Sequence, residues 1–262
     1  MTAADVQRLK DLLPTRLGSG EIRESIAADI LRRSVFSARM ECARHLARLR
    51  DTLAALSAGE IDEADARARL LASLAEMGHS PLDGGGIANP ASVRRLELVL
   101  STNRQMAASV ARLSGETPAT LAQWPAWRLT RAEGRGAPRD DWQRRWKAAG
   151  DAVGWEGARR TSGLYPDWDM AALKSSPVWE ALGNGAGGFR DALGNPYPPF
   201  AYGSGLDWED VDADGGRALG LLADGEEAGA PGPAALTPGE REIAEAIRRL
   251  GGDFGAIAEG VA

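Results

Sequence analysis

Cysteine is almost missing from this 262-residue sequence, in which Cys42 is the single example. One thiol cannot form an intramolecular disulfide, and a cysteine-based metal site is not expected. Histidine is nearly as scarce, since His45 and His79 are the two present. A partly buried or surface position is favoured for His45 over a role as ligand or base. The sequence therefore predicts neither a metal site nor a cofactor, and it disfavours histidine-based acid–base catalysis.

Long hydrophobic runs are also lacking. None approaches the roughly 20 apolar residues that a membrane-spanning helix needs, so no membrane partner is expected. The first residues, MTAADVQRLKDLLPTRLG, are charged and do not have the pattern of a secretion signal. The formal net charge of −6 disfavours nucleic-acid binding by the whole surface, while a local basic patch stays open.

Helical periodicity is strong in the first hundred residues. Between Glu21 and about Leu56, apolar or small residues recur every three or four positions without a proline or glycine. This pattern predicts one long helix of roughly 50 Å. A second helix is predicted over 63–77, capped by Asp62 and ended by Gly78, and a third over about 91–113. The short connection SAGEID predicts that the first two helices form an antiparallel hairpin.

Composition changes abruptly after Thr117. All eight tryptophans lie between Trp124 and Trp208, and alternating residues predict a short strand over 127–133. Gly-, Ala- and Asp-rich residues then predict a flexible connector, and a capping box at Thr237 begins a last helix. That helix either docks on a partner or folds back onto its own domain. The sequence thus predicts an α+β protein with a helical domain (1–117), a Trp/Pro-rich module (118–211), a flexible linker (212–236) and a C-terminal helix (237–262).

Acidic and basic clusters in the second half leave two alternatives open. Carboxylates at 140–169 could serve an enzyme that acts on nucleic acid or peptidoglycan, if they were held at defined separations. Basic residues over 131–147, interleaved with Trp142 and Trp146, could bind DNA. A helix from Arg139 would instead place both tryptophans on one face at a spacing typical of a core. The structural use of these tryptophans is favoured.

Three segments carry the most specific signal. The segment 94–113 has the pair Thr102-Asn103 before an alanine-rich helical stretch. The segment 124–150 has a strand followed by Arg135 and the step Pro138-Arg139-Asp140-Asp141-Trp142, and the segment 175–211 has Pro177-Val178-Trp179 before Tyr197-Pro198-Pro199. In this order they resemble the phage head morphogenesis family related to the F protein of phage Mu, over roughly residues 25–211. The sequence departs from the family at Asp141-Trp142, where many members have histidine, and at Gly203-Ser204-Gly205, where many have Cys-x-Cys.

This resemblance implies a minor head protein of a tailed bacteriophage, a structural factor in head assembly and not an enzyme. The implied location is the virion head or portal vertex, and the host cytoplasm during assembly. Implied partners are the portal protein and the major capsid protein, with copies of this chain and packaged DNA as further candidates. A DNA-binding internal head protein is therefore a second alternative. The candidate protein-binding or module-core residues are Trp127, Arg139, Asp141, Trp142, Trp146, Trp179, Tyr197, Pro198, Pro199 and Phe200.

Overall fold

The computed structural model describes residues 1–131, 140–159, 169–223, 240–243 and 245. These residues form helices and two small sheets, which confirms the predicted α+β class. The chain divides into two compact units: unit 1 comprises Met1–Gly115 and Leu236–Ala262, and unit 2 comprises Glu116–Ala235. The division after Gly115 lies two residues before the boundary that the loss of helical periodicity predicts.

Unit 1 is mainly helical. Two short strands form a parallel sheet, and two 3₁₀ turns, Pro81–Asp83 and Gly86–Ala88, precede the helix Val93–Ser114. In chain order, its elements are α1 (Ala3–Arg8), β1 (Asp11–Leu12), α2 (Ser19–Ser25), α3 (Ala28–Arg33), β2 (Ser34–Val35), α4 (Ala43–Ala58), α5 (Glu63–Ala75) and α6 (Val93–Ser114).

The helical hairpin and the third helix are confirmed. Helix α4 ends at Gly59, which has a φ of 74°, and the Asp62 side chain accepts a hydrogen bond from the Asp65 amide at 2.8 Å to begin α5. Gly78, with a φ of 81°, follows α5 as predicted. The three helices share one apolar core, to which they contribute Leu46, Leu49, Leu53, Leu70, Leu74, Leu96 and Leu100.

The predicted continuous helix over 21–56 is wrong, because α4 begins only at Ala43. The backbone becomes extended at Ile26 and again at Ser34, where residues 34–35 pair with residues 11–12. Val35 and Met40 are nevertheless buried in the same core as α4. The regular apolar spacing therefore indicates which side chains of the segment are buried. Several short elements can bury those side chains as well as one continuous helix would.

Lys10, which follows α1, has an unusual environment. Its side chain is almost completely buried and, within the described part of the chain, its Nζ has no hydrogen-bond partner. Burial lowers the pKa of Lys10 from 10.5 to about 8, while the negative charge of Glu240 acts in the opposite direction. Glu240 is also buried and lies in a short helical stretch, 240–243. The end of the chain therefore contributes to the environment of an N-terminal lysine.

Lys10→Met is expected to stabilise the protein at pH 7 and to lose most of that advantage by pH 10. Below pH 8 the lysine is charged in both states, so folding carries the cost of burying the charge. Between pH 8 and 10.5 the folded protein loses the proton first, so the unfolded state binds more protons and the parent's free energy of unfolding rises with pH. The lowering of the Lys10 pKa corresponds to a change of about 3 kcal/mol at most in the free energy of unfolding.

Urea unfolding at pH 7 and pH 10, followed by far-ultraviolet circular dichroism, measures this change. Lys147→Met removes an exposed lysine and controls for the loss of one titratable amine. If the difference between Lys10→Met and the parent stayed constant with pH, the assignment of the effect to Lys10 would be wrong.

Unit 2 is built around a three-stranded antiparallel sheet of order β4-β3-β5. The strand predicted over 127–133 is the central strand β3, and residues 132 and 133 lie outside the described residues. In chain order, the elements are α7 (Pro118–Gln123), β3 (Ala126–Arg131), α8 (Trp142–Ala152), β4 (Ala171–Leu173), α9 (Val178–Gly183), β5 (Leu206–Val211) and α10 (Ala213–Ala218).

The prediction of a flexible linker from residue 212 is wrong for its first part. Asp212 caps α10 by accepting a hydrogen bond from the Gly215 amide at 2.7 Å. Leu221 and Leu222 are buried, and Leu221 packs on the apolar cluster around Ala126. The burial of these two leucines thus orders a segment whose glycine-rich composition predicted flexibility. Residues 224–236 lie outside the described residues, as does most of the helix predicted over 237–262, including Thr237.

Candidate functional site

An aromatic cluster occupies the centre of unit 2. The indole rings of Trp127 and Trp208 are stacked, with centroids 3.8 Å apart and planes 7° from parallel. Trp179 meets both edge-on, at 5.9 and 6.4 Å. The ring centroid of Trp146 lies 5.3 Å from that of Trp179, and the Phe200 ring stacks on Trp179 at a centroid distance of 6.0 Å. All five side chains are buried, so they form the core of the module.

The sheet register explains the stacked pair. Trp127 lies opposite Asp210, and Leu129 lies opposite Trp208. Trp127 and Trp208 are therefore diagonal neighbours on one face of an antiparallel pair, where large side chains come into contact.

Helices α8 and α9 supply the other tryptophans of the core. Trp142 and Trp146 begin one face of α8 and are both buried, which confirms the core spacing predicted for them. Trp179 lies near the start of α9, and its Nε1 donates a hydrogen bond to the Leu173 carbonyl at 3.0 Å. This bond connects α9 to the end of β4.

The loop that contains Tyr197, Pro198, Pro199 and Phe200 is buried and not an exposed recognition surface. The peptide bond between its two prolines is cis. The buried Asn195 side chain donates a hydrogen bond from Nδ2 to the Pro199 carbonyl at 3.0 Å. These four residues lie in the interior of unit 2, and their role in protein binding stays a prediction.

Asp141 lies at the N-terminus of α8 and binds the largely buried Arg145. The guanidinium is 2.9 Å from an Asp141 carboxylate oxygen and 2.9 Å from Asp191, and it lies over the rings of Trp142 and Phe189. Burial acts to lower the pKa of Arg145, but hydrogen bonds to the two aspartates outweigh it and raise this pKa. Asp141 is therefore a partner in a structural ion pair. Arg139, also predicted for this site, lies outside the described residues.

Lys174 is a site residue that the sequence analysis missed. Its buried Nζ lies 2.5 Å from Glu116 Oε1 and 3.0 Å from Asp210 Oδ1. It also lies over the Trp127 ring, 5.3 Å from the centroid. Asp210 Oδ1 in turn accepts a hydrogen bond from Trp127 Nε1 at 3.1 Å. These contacts orient the Trp127 indole. The one feature of the sequence that could have pointed to Lys174 is the rarity of lysine, which occurs three times in the whole sequence.

Among the described residues, other carboxylates considered for catalysis form ion pairs with arginine or lysine side chains. Asp169 pairs with Arg128 and Arg159, and Asp151 pairs with Lys147. Across the described ranges, no three His, Cys, Asp or Glu side chains come together as metal ligands would. Asp167, from the same predicted set, lies outside these ranges.

His45, in unit 1, is buried and contacts another helix. Its Nδ1 lies 3.0 Å from Ser73 Oγ, which connects α4 to α5. Burial lowers the pKa of His45, and the nearby charges of His79 and Arg48 act in the same direction. A neutral imidazole bound to a hydroxyl inside a helical hairpin is a structural arrangement.

No family model, curated protein or solved structure matches this chain. Within the described ranges, no helix combines the length and apolarity required to cross a membrane.

Proposed function

We propose that this protein is a minor head protein of a tailed bacteriophage, which associates with the portal and assists head assembly as a structural component and not as an enzyme. One observation carries the proposal. The segments 124–150 and 175–211, which hold two of the three resemblances to the head morphogenesis family, fold into one unit. Both segments supply rings to a single aromatic cluster: Trp127 and Trp146 come from the first segment, and Trp179, Phe200 and Trp208 from the second.

The polar groups of unit 2 support the same proposal. Catalytic sites keep perturbed titratable groups in a cleft where a substrate can reach them. Here Lys174 and Arg145, which are both buried, are each held between two carboxylates. Such pairs fix the geometry of the module, which is what a structural component of a large assembly requires.

The segment 94–113, which carries the third resemblance, lies in α6 of unit 1. Its Asn103 is buried, and the Asn103 carbonyl accepts a hydrogen bond from Gln7 Nε2 at 2.8 Å. The Asn103 side chain donates from Nδ2 to the Val99 carbonyl at 2.8 Å. The backbone at Asn103 therefore connects α6 to α1, and the Asn103 side chain forms its hydrogen bond within α6.

Co-expression with the portal protein and major capsid protein of the same phage tests the proposal. The chain is expected to sediment with portal-containing proheads at moderate salt, and to stay at the top of the gradient when the portal protein is omitted. A chain that never sediments with portal or proheads would contradict the proposal.

Two further outcomes separate the alternatives. DNA binding that weakens steeply with added salt would favour an internal DNA-binding protein. Turnover of nucleic acid or peptidoglycan that Asp141→Asn abolishes would overturn the structural role.

A further inference from the structure

The end of unit 1 where α5 leads into α6 has an exposed apolar surface. Among the described residues, the large hydrophobic side chains that are exposed are Met1 and four between positions 77 and 93. We call these four, Met77, Leu82, Ile87 and Val93, the apolar tip; they are exposed by 37%, 92%, 51% and 52%. Scattered exposed hydrophobic residues are ordinary, but such a concentration on one short segment is typical of an interaction site.

The loop that carries the tip is held by its own hydrogen bonds. The Ser80 amide donates to Asp83 Oδ2 at 2.7 Å, and Ser80 Oγ accepts from the Leu82 amide at 3.2 Å. Asn89 closes the loop, because its Nδ2 donates to the Ser80 carbonyl at 2.8 Å and its Oδ1 accepts from the Ala91 amide at 2.8 Å. Leu82 is therefore presented on an ordered backbone, which reduces the entropy lost on binding.

Arg95 fixes the second half of the loop to the rest of unit 1. It donates from Nη1 to the Ile87 carbonyl at 3.1 Å, and from Nη2 to Ser37 Oγ and the Ala38 carbonyl at 2.9 and 2.6 Å. The backbone that carries Ile87 is thereby tied to the segment before α4. The hydrogen bonds of Ser80, Asn89 and Arg95 therefore hold the loop in the conformation that exposes the tip.

The charges beside the tip indicate what covers it. Asp83 follows Leu82 and Arg94 follows Val93, and both charged residues are exposed. In the part of the chain that the structure describes, neither forms an ion pair. One anion and one cation beside an apolar surface are self-complementary under a twofold rotation, which places the cation of each copy opposite the anion of the other. DNA or an anionic membrane would instead require a cluster of lysine and arginine.

We propose that the apolar tip is a self-association surface through which two copies of this chain pair about a twofold axis. Leu82, Ile87 and Val93 of one copy pack against the same side chains of the other. Arg94 of each copy faces Asp83 of the other. Because the apolar tip consists of four side chains per copy, we expect a weak, concentration-dependent dimer and not an obligate one. The inference stands on unit 1 alone and does not depend on the proposed function.

Sedimentation velocity of the full chain, from low micromolar to near-millimolar concentration, tests the dimer. The parent is expected to shift from monomer to dimer, and Leu82→Asp to weaken association at least about tenfold. Leu82 is so exposed that the change should leave thermal unfolding unaltered. Ala58→Asp, which adds the same acid at another exposed position at the opposite end of the hairpin, is the control and should dimerise like the parent. A parent that stays monomeric throughout, or a dimer that Leu82→Asp does not weaken, overturns the proposal.

A mixing experiment tests the pairing of charges. Asp83→Lys alone and Arg94→Glu alone each place like charges together in a twofold dimer, so each variant is expected to associate more weakly than the parent. Asp83→Lys also removes the acceptor of the Ser80 amide, so the test rests on the mixture and not on this variant alone. Mixed in equal amounts, the two variants restore opposite charges at both contacts, and heterodimers should form more readily than either homodimer. If mixing gives no gain, the twofold arrangement is wrong.

Discussion

Trp179→Ala is expected to lower the free energy of unfolding of unit 2 by about 3–5 kcal/mol, the range for removing a large aromatic side chain from a core. The indole of Trp179 is the ring on which the aromatic cluster converges, and its truncation also leaves the Leu173 carbonyl without the hydrogen bond that Nε1 donates. The rings that lose a contact are Trp127, Trp146, Phe200 and Trp208.

Urea unfolding followed by tryptophan fluorescence measures the effect. All eight tryptophans lie within Glu116–Ala235, so this signal reports on unit 2 alone. Trp124→Ala is the matched control: Trp124 is half-buried at the end of α7 and takes no part in the ring contacts of the cluster. It should cost about 1 kcal/mol, the typical effect of a substitution. Equal losses for the two variants would show that the cluster does not depend on Trp179.

Gly183→Ala is expected to cost about 3 kcal/mol or more, although it adds only one methyl group. A Cβ atom at this position would lie 1.7 Å from the Asn195 carbonyl oxygen and 2.5 Å from its carbon. The obstacle is backbone and cannot rotate away. It is also held in place, because the Gly194 amide donates to the Gly183 carbonyl at 2.8 Å and the Asn195 side chain binds Pro199. Relief of the clash would therefore displace the proline loop from α9.

The same unfolding measurement, with circular dichroism added, checks this result. Gly20→Ala is the matched control, because Gly20 is an exposed helical glycine with no atom within 4 Å of the added Cβ. There alanine should stabilise α2 by up to about 1 kcal/mol. A Gly183→Ala protein with the stability of the parent would mean that α9 and the proline loop are less closely packed than described.

Elements with local signals could be predicted from the sequence. Asp62 marks the start of α5, and the alternation around Trp127 marks β3. Elements that depend on distant partners could not be predicted. Residues 11–12 pair with residues 34–35, and this pairing interrupts a segment whose apolar spacing is compatible with a single helix. Periodicity identifies which side chains are buried, but it does not identify what they pack against.

The candidate site divides in the same way. The aromatic residues could be identified because tryptophan is concentrated in one region and Trp142 and Trp146 have helical spacing. The cations that organise the site could not. Lys174 lies 58 residues from Glu116, and Arg145 lies 46 residues from Asp191. A buried ion pair of this separation leaves no local pattern, so it emerges only once the sheet and helices are in place.

The stacked indoles of Trp127 and Trp208 have an optical consequence. Two coupled chromophores 3.8 Å apart split their excited state into an exciton pair, which gives a bisignate band in the far-ultraviolet circular dichroism spectrum. The contribution of this pair requires β5 to be in register beside β3, and Trp208→Phe removes it while the coupling of Trp179 with Trp127 and Trp146 stays. During refolding, its appearance would mark the pairing of these strands separately from the formation of the helices.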